Sequence, residues 1–311
     1  MRASERSNSL FWMSWLRPAP LLIRLVCAVR SATERIATGY FTRAAIIVLA
    51  VWALCEFSEI ERAIALGDEQ ALLLLAVVGV VALSALLSSI AGFAFCALAG
   101  SAFAYLGVDP VRSVQAMVLC SIAIQLYAVW KIRGSVRWPS FRWMLAGGAV
   151  TVPLGVWMLT HIDSGVYAAG LGVFLTAYGC YAVLRRETRI VPGKPWQDAI
   201  AGALGGVAGG LAGLTGSFVT IWCSMRGWDK LRQRAAYQPY ILAMQLEVLA
   251  CLRFQVSSSM HAAEGLRLIP FAMLGAVGGF ALFERMTSKQ VHAAISILLM
   301  MSGIGLLNRS L

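Results

Sequence analysis

From position 71 onward the chain is a succession of apolar runs separated by short polar breaks. The runs predict membrane-spanning helices over about residues 71–90, 91–107, 112–130, 143–160 and 165–184, and then over about 199–214, 215–226, 235–252, 268–283 and 290–307. About 20 apolar residues, rising ~1.5 Å each, cross the ~30 Å hydrocarbon core of a bilayer. The first two runs of each set of five are short and rich in Gly and Ser. Each pair therefore reads either as two full spans or as one broken, re-entrant pair. The pattern divides the chain into an N-terminal extension (1–70), a first membrane segment (71–186), a linker (187–198) and a second membrane segment (199–311).

The extension has its own pattern. Residues 1–43 carry seven arginines against Glu5 and Glu34. Leu10, Phe11, Trp12 and Trp15, then Leu21, Leu22, Leu25 and Val26, alternate with Arg17, Arg24 and Arg30. This is the pattern of amphipathic helices lying on an anionic membrane face. An Arg- and Ser-rich, acid-poor start also characterises organelle transit peptides, but no clear cleavage signal follows. Residues 44–55 form an apolar run that is short for a span, and 56–70 are acidic.

The two membrane segments resemble each other. Gly107-Val108-Asp109-Pro110-Val111-Arg112 returns about 120 residues later as Gly227-Trp228-Asp229-Lys230-Leu231-Arg232. Each copy follows a small-residue run and precedes a helix with glutamine at the matching place, Gln125 and Gln245. Ser164–Leu175 aligns with Ser288–Leu299, including an Ala-Ala pair. An odd number of spans per copy makes the second copy enter the membrane opposite to the first. The expected fold is thus an all-α polytopic membrane protein of two inverted helical repeats of about five spans each. That architecture supports alternating access around a central site.

Composition agrees. The chain is 59% apolar with a mean hydropathy of +0.74, and its 13% of charged residues is about half the share of a soluble domain. The net charge of +11 is explained by placement. With the N-terminus inside, 21 of the 26 Lys and Arg residues fall on the inner side; Arg62, Arg112, Arg253, Arg267 and Arg309 fall outside. That split follows the positive-inside rule and removes the need for nucleic acid as a partner, for which no binding motif occurs. The expected setting is a bacterial inner membrane with a cytoplasmic N-terminus. Seven dispersed cysteines without a Cys-x-x-Cys pair read as buried small hydrophobes.

Within the spans, Gly202–Gly216 repeats glycine at four-residue spacings, which suits close helix packing. Its end, Leu214-Thr215-Gly216-Ser217, offers hydroxyls and open backbone N–H groups where a helix breaks, a place for an anion. Ser88-Ser89-Ile90-Ala91-Gly92-Phe93 is the counterpart in the first copy. Gln125 and Gln245 either line a polar site or hydrogen-bond between helices. Glu247, an acid well inside a span, is either the carrier of a coupling proton, if burial raises its pKa, or a polar contact near Arg253. Asp109 and Asp229 read as helix caps, and Arg112 and Arg232 as loop charges or anion collectors at the pore mouths. The candidate substrate-binding set is Ser89, Gly92, Gln125, Thr215, Gly216, Ser217 and Gln245.

His161, His261 and His292 are dispersed, so no zinc site or catalytic triad is expected. No P-loop occurs, and no nucleophile–base pair suggests an enzyme. No cofactor is implied.

The glycine run followed by Met225-Arg226-Gly227-Trp228-Asp229-Lys230-Leu231-Arg232-Gln233-Arg234-Ala235 resembles the second half of the TauE/SafE sulfite-exporter permeases. Ala91-Gly92-Phe93 through Pro110, then Lys131 to Trp138, is similar to their first half. The resemblance covers about residues 71–308. The chain departs from the family pattern at Ala94-Phe95-Cys96-Ala97, where a glycine cluster is usual, and at Gly216-Ser217-Phe218, where Gly-Gly-Pro is usual. The resemblance implies a secondary permease for a small anion: sulfite, a sulfonate or a related organosulfur compound. Its partners would be that anion, the lipid bilayer and protons as a candidate coupling ion. The rival expectation is a non-transporting membrane scaffold whose basic N-terminal arm recruits a soluble partner.

Overall fold

A computed structural model describes residues 69–91, 94–184, 192–255 and 262–283, with positions 300, 303 and 304. These residues belong to a compact unit, Trp52–Leu311. The basic extension, the run at 44–55, Gly92 and most of the expected span at 290–307 lie outside the described residues.

The described residues are helical, with no strand among them. In chain order they form α1 (Glu69–Ala91), α2 (Phe95–Tyr105), α3 (Pro110–Ile132), α4 (Arg142–His161), α5 (Ser164–Leu184), α6 (Pro195–Ala212), α7 (Ser217–Met225), α8 (Lys230–Gln255) and α9 (Ala262–Phe283). Both halves begin long, short, long, long. The expected spans at 91–107 and 215–226 become the short members. With 11 and 9 residues, α2 and α7 rise only ~16 and ~14 Å, about half of a ~30 Å hydrocarbon core. Among the described residues, three stretches combine the length and hydropathy to cross a bilayer: Pro110–Ser135, Arg142–His161 and Gly265–Leu282.

Local chemistry sets the boundaries. Gly107 and Gly227 take φ of 74° and 64°, the left-handed region that only glycine enters without strain. At the start of α3, the Asp109 carboxylate accepts from the Arg112 N–H at 3.0 Å and Pro110 occupies the first turn, where a missing N–H costs nothing. The capping role expected of Asp109 is thus observed. The start of α6 is closed by the Gln197 side chain, which accepts from the Lys194 N–H at 3.0 Å.

Glycine governs the packing. Gly202, Gly206 and Gly210 line one face of α6, and a Cβ at any of them would collide with α4, at the carbonyls of Met144, Gly148 and Val152. Gly147 and Gly155 of α4 meet the carbonyls of Ala199 and Val207 in return. Gly275 and Gly279 of α9 meet the carbonyls of Ala82 and Leu86 on α1 in the same manner. The fourth helix of the first half therefore packs on the first helix of the second, and the reverse contact repeats it. Both pairs run parallel, since the contact positions ascend together. By contrast, α3 and α8 run antiparallel: Gln245 reaches Ser121, whereas Gln238, two turns earlier on α8, shares a pocket with Gln125 and Ala128.

The centre is sealed by Met117, Met144, Tyr240 and Leu252, all nearly inaccessible, and the Tyr240 hydroxyl donates to the Gly202 carbonyl at 2.7 Å. Outward positions are apolar as well. Leu83, Val150, Leu154 and Val173 are more than half exposed, an arrangement that hydrocarbon tolerates and water penalises.

Candidate functional site

α1–α2 and α6–α7 are helical hairpins, and the described residues of their tips, Ala94 and 213–216, are buried. The tips touch: Cys96, in the first turn of α2, lies 3.1 Å from where a Cβ on Gly213 would stand. Both tips end against the α3–α8 pair, where the halves meet.

That pair presents two equivalent stripes. On α8, Arg234, Gln238, Ile241 and Gln245 follow one another at spacings of four, three and four, so they share a face. The positions 120 residues earlier on α3 are Val114, Val118, Ser121 and Gln125. All eight are buried. The stripes join where Gln245 Nε2 donates to Ser121 Oγ at 2.7 Å.

A small pocket opens between the first tip and these stripes. Ser88, Ser89, Ser121, Gln125 and Gln238 give it a polar side, and Phe95, Ile124 and Phe280 an apolar wall. Ser88 Oγ donates to the Ala85 carbonyl at 3.2 Å. Ser89 Oγ, Gln238 Oε1 and Gln245 Oε1 have no hydrogen-bond partner, although their residues are 2%, 1% and 2% exposed. Buried polar atoms are nearly always paired, so the two that belong to pocket residues, Ser89 Oγ and Gln238 Oε1, mark a place suited to a polar guest.

Beside the pocket lies Arg234, 5% exposed. Its Nη2 donates to the carbonyls of Ser89 at 3.0 Å and Ile90 at 2.7 Å, two of the last acceptors of α1, which the helix itself leaves open. The guanidinium also lies 5.4 Å from the centre of the Phe280 ring, and Lys131 Nζ lies 5.3 Å from the same ring. Arg234, one of the cations that the charge count assigns to the inner side, is in the helix and buried rather than in a loop. Its proximity to Lys131 shows that the end of α3 and the start of α8 lie at the same end of the molecule.

The second tip is organised differently. α6 ends at Gly213, with φ of 71°, whose N–H bonds the Gly209 carbonyl at 2.8 Å. Ser217 Oγ donates to the Leu214 carbonyl at 2.9 Å, and Thr220 Oγ1 to the Gly216 carbonyl at 2.8 Å. Thr215 packs over Gly209, and its hydroxyl is buried without a partner. At the open end of this hairpin, Asp198 accepts from Trp222 Nε1 at 2.6 Å and Arg226 Nη1 at 2.7 Å. Arg226 and Arg232 both stack on Trp228, at 4.6 and 4.7 Å.

Of the residues expected to bind substrate, Ser89 and Gln125 share the pocket, and Gln245 reaches it through Ser121. Thr215, Gly216 and Ser217 belong to the second tip and do not line it. Glu247 is half-buried and lies two residues beyond Gln245, which turns it about 200° away from the stripe. Arg234, Gln238 and Ser121 were missed. The signal that finds them is the helical spacing of polar residues to Gln245 and Gln125.

Comparison with known proteins gives one match. The family model for sulfite exporter TauE/SafE matches residues 75–306. No curated protein and no solved structure matches the chain.

Proposed function

This chain belongs to the sulfite exporter TauE/SafE family, integral membrane transporters, and on that premise we propose that it is a secondary permease for sulfite, a sulfonate or a related small organosulfur anion. The observation that carries the reading is a buried polar pocket between the tip of one interrupted hairpin and the α3–α8 pair, with the tip of the second hairpin touching the first. An anion in the middle of a bilayer needs hydrogen-bond donors and positive charge to replace its water. Ser89, Ser121, Gln125 and Gln238 are placed to offer the first.

The same geometry supports inverted repeats. Equivalent helices α3 and α8 run antiparallel, and the contacts of α4 with α6 and of α1 with α9 exchange under the same relation. In this reading the halves rock about the tips, with Ser89, Gly92 and Gln125 on one side and Thr215, Gly216, Ser217 and Gln245 on the other. Alternate faces of the pocket then open. The cationic end, with Lys131, Arg133, Arg137, Arg226 and Arg232, faces the cytoplasm of a bacterial inner membrane. A proton gradient is the candidate driving force, with Glu247 as the acidic group inside a span.

Uptake into proteoliposomes tests the reading, using sulfite, methanesulfonate and taurine with and without a proton gradient. Saturable flux of at least one is expected, and absence of flux for all three would sink it. Orientation is tested separately by labelling Arg137→Cys in cells. A membrane-impermeant thiol reagent applied from outside should leave it unmodified.

A further inference from the structure

We propose that the anion is held at only one of the two hairpin tips, the first, and that Arg234 supplies its counter-charge. The assignment rests on the anion-permease reading and specifies which side of the repeated core binds. Arg234 is the one charged side chain that is buried among the described residues. It adjoins residues of the pocket in three ways. Its guanidinium holds the carbonyl of Ser89; it lies 5.4 Å from the ring centre of Phe280; and Gln238 follows one turn later on the same face. The second tip has no such group, because the equivalent position is Val114 and α6 is closed by Gly213.

The hydrogen-bonding partners point the same way. Ser89 Oγ and the Gln238 amide oxygen are buried without partners at the pocket. A glutamine amide can turn its NH2 toward an oxyanion, and a serine can donate its proton. Ser121, on the same wall of the pocket, accepts from Gln245. Charge-assisted bonds to an oxyanion are stronger than bonds to a neutral carbonyl. An arriving anion therefore competes with the Ser89 and Ile90 carbonyls for Nη2. Binding loosens the end of α1 from α8 and frees the first hairpin to move, so occupancy and motion are coupled through one guanidinium.

The test measures radiolabelled sulfite uptake by the purified full chain in proteoliposomes, with KM and Vmax resolved. Arg234→Gln should raise KM at least thirtyfold. Arg234→Lys, which keeps charge but not the two-pronged donation, should raise it about tenfold. Gln238→Leu and Ser89→Ala leave the guanidinium–carbonyl bonds in place and should each raise KM about fivefold. If a folded Arg234→Gln protein keeps the wild-type KM and loses only thermal stability, Arg234 is a helix cap and the proposal falls. Should Arg234→Gln fail to fold, unchanged KM in both Gln238→Leu and Ser89→Ala overturns it. If the wild type moves no sulfur anion, the transport reading fails by itself. The binding assignment is then decided by whether sulfite raises the melting temperature of the wild type but not of Gln238→Leu; no such difference overturns it.

Discussion

The two hairpins are equivalent elements closed by different means. In the second, α6 ends with a left-handed Gly213 that turns the chain within its own backbone, and the open end is tied by Asp198 to Trp222 and Arg226. In the first, the last carbonyls of α1 are taken by Arg234, a side chain of the other half. A tip that caps itself is a fixed corner. A tip capped by a cation from a neighbouring helix can be uncapped by anything that binds the cation better. In the proposed reading, the repeated core supplies the frame, and a few unmatched residues decide which half binds and which half anchors.

The most severe way to break the comparison is to make the second stripe charged. Val114→Arg places a guanidinium at a fully buried position, one turn from Val118, which packs near Gly213. An unpaired charge inside a bilayer-embedded core costs about 3 kcal/mol. The variant is expected to lose most of its folded yield, read by monodispersity in detergent. A well-folded Val114→Arg protein would show that the second tip can accept a cation as the first does.

Gly213→Ala attacks the self-capped corner directly. A left-handed residue with a Cβ costs about 1–2 kcal/mol, and the new atom would press on Cys96. A lower melting temperature with unchanged sulfite KM is expected, because Gly213 does not line the pocket. A raised KM would mean that both tips shape the binding site.

Much of this frame is legible in the sequence. The glycine spacing in 202–216 marked a close-packing helix face, though not its partner α4, and the two Gly-x-Asp-x-x-Arg segments marked the turns at Gly107 and Gly227. The short helices were overextended because the turns that end them are themselves buried and apolar. A count of apolar residues runs straight through Ala94 and Leu214 without seeing a corner. Ser89, Gln125 and Gln245 were legible as polar residues inside apolar runs. Arg234 was not, because four residues from Lys230 and beside Gln233 it reads as part of a cationic loop. Only its helical phase relative to Gln238 and Gln245 assigns it to the core. The pairing of Arg234 with α1 is a contact across about 145 residues, which no local pattern contains.

Asp198→Asn tests whether the second hairpin is anchored at its open end. The Asp198–Arg226 pair is partly exposed, at 14% and 17%, so its loss should cost only about 1 kcal/mol. The first half has Leu106 and Val108 where the second has Arg226 and Trp228, so the variant makes the two hairpins more alike. Vmax is expected to change severalfold while KM stays within twofold, because the pair is remote from the pocket. Equal changes in both would place the latch in the binding step.

Glu247→Gln carries the smallest expected effect on affinity. Glu247 is on the same helix as Gln245 but about 200° from the stripe, so removing its charge should move sulfite KM by less than twofold. If Glu247 carries the coupling proton, the stimulation of uptake by an imposed proton gradient should disappear in the same variant. Both halves of the outcome matter. A lost gradient response with intact KM separates the proton path from the anion path and puts them on different faces of α8. A gradient response that survives removes Glu247 from coupling and leaves the pocket stripe as the region in which to seek the proton. In either case α8 carries charges that its counterpart α3 lacks, since α3 offers Val114 and Tyr127 at the positions equivalent to Arg234 and Glu247.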